Sequence, residues 1–105
     1  MTNKTKNKPA MFIIILTYNA PLEIIDRHLT AHRAFLDKHY AAGDFIFSGP
    51  QNPRAGGIIL CRAQSRETVE HIIASDPFQA VASYQIIEFT PNKYAPGIER
   101  VLSPL

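Results

Sequence analysis

Residues 12–16 read Phe-Ile-Ile-Ile-Leu, a short apolar run rich in β-branched side chains. Such a run fits a central strand covered on both faces. Asn19-Ala20-Pro21 interrupts it, and Pro21 suits the first turn of a helix, where a missing N–H does no harm. The next stretch, 22–42, carries Leu22, Ile25, Leu29, Leu36 and Tyr40 at spacings of three, four and seven. That spacing predicts one helix with an apolar stripe along it. His32 falls at the edge of the stripe, whereas Arg27, Arg33 and Lys38 fall mostly away from it. Gly43 is placed to close the helix in the left-handed conformation, which only glycine adopts without a Cβ clash.

Residues 44–48 predict a second strand, ended by Gly49-Pro50, and 49–57 a loop whose single charge is Arg54. Residues 58–63 predict a third strand. Ser65 suits a helix N-cap, with Glu67 and Glu70 near the start and Val69, Ile72 and Ile73 on the buried face. That helix ends by Asp76-Pro77, because proline drives the preceding residue out of the α region. A further helical turn is expected over 78–82, a fourth strand over 84–89, and an irregular tail beyond Pro91. The order is βαββαβ, an α+β fold of ferredoxin-like type with two helices on one face of a four-stranded antiparallel sheet. The expected division is a flexible leader over 1–10, one α+β domain over 11–92 and the tail over 93–105. Several strands are apolar on both sides, so the open face of the sheet predicts a homodimer, sheet against sheet.

Charge changes this picture only when it is located. The net charge of +2 comes from Lys4, Lys6 and Lys8, and from Ala10 onward eight basic residues face nine acidic ones. No global basic field remains to hold a phosphate backbone, so no nucleic-acid partner is expected. The lone Cys61 lies in an apolar run and predicts a buried thiol in a reducing cytoplasm. The apolar run behind the leader is too short for an export signal, and no stretch approaches the ~20 apolar residues of a membrane span. The expected location is cytoplasmic, without membrane association.

Candidate chemistry starts with three histidines on the first helix. His28 and His32, four apart, could face one metal with His39 further along, yet no Cys or acidic residue completes a ligand set. No metal site is expected there, and solvated helix histidines are the plainer reading; His71 is placed on the exposed side of the second helix. No cofactor motif occurs, since Gly56-Gly57 is followed by a strand rather than by Lys-Ser or Lys-Thr and a helix. Arg54 is either an anion clamp or a charge on a connecting loop. Ser48, at a strand end, can hydrogen-bond a substrate or a histidine, but no nucleophile elbow surrounds it. Tyr18 and Tyr84 either line a cleft or belong to the core. Asp76 before Pro77 fits an N-cap with proline at the first helical position, a role compatible with others. His32 taken alone is either a satisfied helix histidine or an acid/base group.

Together these elements resemble the YciI-like (YCII-related) family of the dimeric α/β-barrel superfamily over about residues 11–92. The resemblance is carried by Ala31-His32-Arg33-Ala34-Phe35-Leu36, Ala42-Gly43, Ser48-Gly49-Pro50 and Asp76-Pro77-Phe78, in that order after the first strand. It implies a homodimer whose sheets face each other, and a cleft where His32 lies near Asp76. Relatives in the wider superfamily include muconolactone isomerases and small dehalogenase-type enzymes of aromatic breakdown, although most family members have no assigned reaction. The leader and tail lie outside the resemblance.

The reading that follows is an enzyme of isomerase, lyase (dehalogenase) or hydrolase type using His32 and Asp76 for proton transfer on a small oxygenated, aromatic-derived molecule. Ser48, Arg54, Tyr18 and Tyr84 are then the substrate-binding candidates. Its rival is a non-catalytic homodimeric module that binds a small ligand or a protein, with His32 and Asp76 serving only structure. A third is a subunit of a larger assembly docked through the tail.

Overall fold

The computed structural model describes residues 10–102. The expected leader, except Ala10, and the last three residues of the expected tail lie outside the described residues. In chain order the elements are β1 (Ala10–Tyr18), α1 (Leu22–Arg27), α2 (Leu29–Ala41), β2 (Phe45–Pro50), β3 (Gly56–Ala63), α3 (Arg66–Ile73), a 3₁₀ turn (Pro77–Ala80), β4 (Ala82–Phe89) and α4 (Glu99–Leu102). The four strands form one sheet in the order β2-β3-β1-β4. Every neighbouring pair is antiparallel. This is the expected α+β, ferredoxin-like arrangement, with the apolar run of β1 at the centre.

Alternation along the strands assigns the two faces. Phe12, Ile14 and Leu16 of β1 join Ile59 and Cys61 of β3 in a core shared with Ile25, Phe35, Val69, Ile72, Ile73 and Phe78. Ser65 caps α3 as its side chain accepts the Thr68 N–H at 3.2 Å. Gly43 closes α2 at φ 83°.

The chain folds differently from the expectation at the helix over 22–42, which is two helices meeting at His28. The cause is local. The His28 ring Nδ1 donates to the Ile24 carbonyl at 3.1 Å, the acceptor the His28 N–H would use in a continuous helix. That N–H turns instead to Ile25 O at 2.9 Å. The buried stripe is correspondingly rotated from the one expected. Ile25, His32, Phe35 and His39 are buried, while Leu22 and Tyr40 are exposed. The tail also departs from an irregular chain, since α4 forms one helical turn and Arg62 donates to Val101 O and to Gly43 O.

Residues 51–55 join β2 to β3 through a turn with a cis Asn52–Pro53 bond. Gln51 anchors this turn as its Nε2 donates to Leu16 O at 3.2 Å. Gly56 opposes Thr17 in the ladder, and a Cβ there would lie 1.8 Å from the Leu16 carbonyl oxygen. Both groups are backbone, so a strand must move. Gly56→Ala should cost roughly 1–3 kcal/mol or more, as overpacked sites do. A urea midpoint equal to the wild type would refute this.

The opposite face of the sheet is apolar and uncovered within the chain. Phe47 is 59% exposed, Ile58 41% and Ile87 40%. Ile13 and Ile15 of β1 lie between them, opposite Leu60 and Ile58 on one side and opposite Ile87 and Gln85 on the other. Among the described residues, no helix is long and apolar enough to cross a membrane.

Candidate functional site

Helix α2, the 3₁₀ turn and β4 meet at one buried carboxylate. Asp76 precedes Pro77 at the start of the 3₁₀ turn, and its Oδ1 accepts the Phe78 N–H at 2.9 Å. The same oxygen accepts the His32 Nδ1–H from α2 at 2.8 Å. Oδ2 accepts the Tyr84 hydroxyl from β4 at 2.7 Å. The Asp76 side chain is fully buried. The cap and the histidine partner foreseen as compatible roles thus coincide in one group. Three donors make this burial tolerable, because each relieves part of the carboxylate's desolvation.

Each partner is held in turn. The His32 ring stacks on Phe78 at 3.9 Å between centroids and 6° between planes. Tyr18 meets Phe78 edge-on at 5.8 Å. Burial, reinforced by the hydrogen bond to Asp76 and its negative charge, pushes the Tyr84 hydroxyl far above its ordinary range, so it stays a donor. With Nδ1–H committed to the carboxylate, His32 has Nε2 as its remaining nitrogen, without a partner among the described residues. The neutral ring then offers a lone pair there.

His32 forms part of the wall of a cavity of about 270 Å³ between α2 and the ends of β1, β2 and β3. Of the sequence candidates, Tyr18, Ser48 and Arg54 line the same cavity. Tyr84 does not, and stands behind Asp76 instead. Ser48 Oγ pairs with the Tyr40 hydroxyl at 2.6 Å rather than with a histidine. Arg54 donates to Asp26 at 2.7 Å and lies 5.8 Å over the Tyr18 ring. The hydrogen bond to Asp26, aided by Tyr18, raises its already high pKa further.

Two residues escaped the sequence reading. Arg33, placed mostly away from the apolar stripe, is indeed exposed, but it also borders the cavity next to His32, a position the pattern did not single out. His39, expected to be solvated, is buried and donates Nδ1–H to Asp44 at 2.7 Å. It packs between Phe35 and Phe45, and its Nε2 is buried without a partner among the described residues. This second pair joins the end of α2 to the start of β2, away from the cavity. Cys61 lies opposite Phe45 in the ladder. Burial, helped by Asp44 and opposed by Arg62, pushes its thiol up to about 12, so it is not a thiolate nucleophile near neutrality.

Among the described residues, no group of three or more His, Cys, Asp and Glu side chains gathers to hold a metal ion.

The YCII-related domain model matches residues 11–90. The chain belongs to the YCII-related family. Its fold is similar to that of 5-chloro-2-hydroxyhydroquinone dehydrochlorinase (TftG) from Burkholderia phenoliruptrix AC1100, solved in complex with 2,5-dihydroxybenzoquinone. That likeness has a TM-score of 0.65 at 20% identity and covers 78% of this chain and 95% of the other. SnoaB, a cofactor-independent oxygenase from Streptomyces nogalater, is similar at a TM-score of 0.52 and 10% identity, over 85% of this chain and 98% of that one. A conserved protein from Methanosarcina mazei Go1 gives 0.52 at 10% identity, over 84% and 98%. No curated protein sequence matches significantly. At these identities the structural likenesses concern the fold; membership of the YCII-related family rests on the domain match.

Proposed function

We propose that this YCII-related protein is a cytoplasmic, homodimeric enzyme that moves a proton on a small oxygenated, aromatic-derived substrate. His32 is the acid/base group and Asp76 its positioning partner. The observation that carries the reading is the His32 ring, fixed by Asp76 on one nitrogen and with the other unpartnered on a cavity wall. In the neutral state Nε2 accepts a proton from a substrate hydroxyl or from a carbon next to a carbonyl. The resulting imidazolium is stabilised by the Asp76 carboxylate at 2.8 Å. The same group then returns the proton to another atom or to a leaving group. Isomerisation and elimination both need only this relay. The dehydrochlorinase activity and quinone ligand of TftG support the choice of substrate class.

The test is turnover, followed by absorbance, on a panel of chlorinated and unchlorinated hydroxyhydroquinones, hydroxyquinones and lactones. Wild type should convert at least one member, and His32→Gln should lose most of that rate. A binder that turns over nothing would favour the rival reading of a ligand-binding module. Equal rates in both proteins would remove His32 from the chemistry.

The dimer is supported by the open apolar face, on which Phe47, Ile58 and Ile87 are exposed together. Sedimentation equilibrium of the full chain should give twice the monomer mass, and Phe47→Glu should shift it toward the monomer. A monomer at micromolar concentration would sink the proposal.

A further inference from the structure

The cavity has a charge asymmetry that the proton-transfer reading, on which this inference rests, does not use. Its wall contains two guanidinium groups, Arg33 and Arg54, and the His32 ring, but no Asp or Glu. Two carboxylates close to this wall are engaged elsewhere. Asp76 lies behind His32 and accepts three hydrogen bonds, and Asp26 is held by Arg54. The two arginines therefore differ. Arg54 has its charge answered by Asp26 at 2.7 Å. Arg33 has no hydrogen bond or ion pair among the described residues.

Much of the remaining wall is apolar, with Leu29, Leu36, Ile59 and Phe78. Its volume of about 270 Å³ lies just below the roughly 300–1,000 Å³ of drug-sized ligand sites. A space of that size with apolar walls suits one ring. An unanswered guanidinium at its rim suits a negative oxygen on that ring, because its planar fork can donate two parallel hydrogen bonds.

We infer that the cavity selects a single-ring anion and that Arg33 is the residue that docks its negative oxygen beside His32. Arg54 shapes the far wall and is a secondary contributor. The anionic oxygen could belong to a carboxylate or to an ionised ring hydroxyl, and the two are separable by probe.

The experiment is equilibrium titration, read from amide and histidine-ring NMR signals of the full-length protein. The probes are 2,5-dihydroxybenzoate and its neutral amide, and 4-nitrophenolate and its neutral methyl ether. At least one anion should bind roughly ten- to hundredfold more tightly than its neutral counterpart, the range expected for a charge-assisted contact. Preference for the benzoate alone assigns a carboxylate, and for the phenolate alone a ring oxygen. Arg33→Gln should abolish the preference with the spectrum otherwise native, Arg33→Lys should retain part of it, and Arg54→Gln most of it. Equal binding of anion and neutral partner in both pairs, no binding of either anion, or a preference that survives Arg33→Gln would each overturn the inference. The outcome is separable from the proton-transfer reading. A lost anion preference with His32-dependent turnover intact overturns only the docking role of Arg33. An anion preference kept in a His32→Gln protein that still turns over removes only the chemistry.

Discussion

Replacing Asp76 by alanine should destabilise the protein by about 3–5 kcal/mol, the usual cost of leaving buried partners of an ion or hydrogen-bond group unpaired. Three donors lose their acceptor at once: His32 Nδ1–H, the Phe78 N–H and the Tyr84 hydroxyl. None can turn to solvent easily, because the carboxylate they share is fully buried. Against a total stability of about 5–15 kcal/mol for a domain, that is a large share. Asp76→Asn should be much milder. Its carbonyl oxygen can still accept from His32 and Phe78, and its NH₂ can donate to Tyr84, whose hydroxyl then acts as acceptor. What the amide lacks is charge. Urea denaturation should show the alanine variant far below the asparagine variant in midpoint with similar slopes; an alanine variant within 1 kcal/mol of wild type would refute the account.

His32→Gln should show the opposite profile, with a large loss of turnover and a small loss of stability. A positioned acid or base contributes typically about 10²- to 10⁴-fold, and a glutamine amide cannot take up a proton near neutrality. Its amide can still donate to Asp76, so the fold should lose no more than about 1–2 kcal/mol. Pairing the variants separates roles that a single substitution confounds. A His32→Gln protein that unfolds as readily as Asp76→Ala, while a refolded fraction keeps full turnover, would reduce the pair to structure. In the proton-transfer account, Asp76→Asn folds but turns over slowly, because a neutral amide stabilises the imidazolium less than a carboxylate does.

The architecture could be read from the chain because its signals are local. An apolar run with β-branched residues makes β1, a serine caps α3, and Gly43 closes α2. The helix face was misread for a definite reason. Imidazole counts as polar in a hydrophobic pattern, so Leu22, Leu29, Leu36 and Tyr40 outvoted the histidines. Counting histidine as compatible with the core gives Ile25, His28, His32, Phe35 and His39, spaced three, four, three and four. All of these are buried or half-buried. The same count would have flagged His39. Arg33 and Tyr84 were harder. Arg33 lies on the exposed side of α2 and borders the cavity only through the packing of other elements, and Tyr84 reaches Asp76 across the 3₁₀ turn, a reversal that periodicity does not encode.

The cavity wall draws on β1, α2, the hairpin of β2 and β3, and the 3₁₀ turn. His32, Asp76 and Tyr84 are tied to one another by α2, the 3₁₀ turn and β4. Ser48, Gly49, Pro50, Arg54, Gly57 and Ile58, on the facing side, belong to a single hairpin. Substitutions at Ser48 or Arg54 change the cavity wall without removing any of the hydrogen bonds to Asp76. What the cavity admits and how the buried carboxylate is held are therefore set by different stretches of chain, one on each side of the same space.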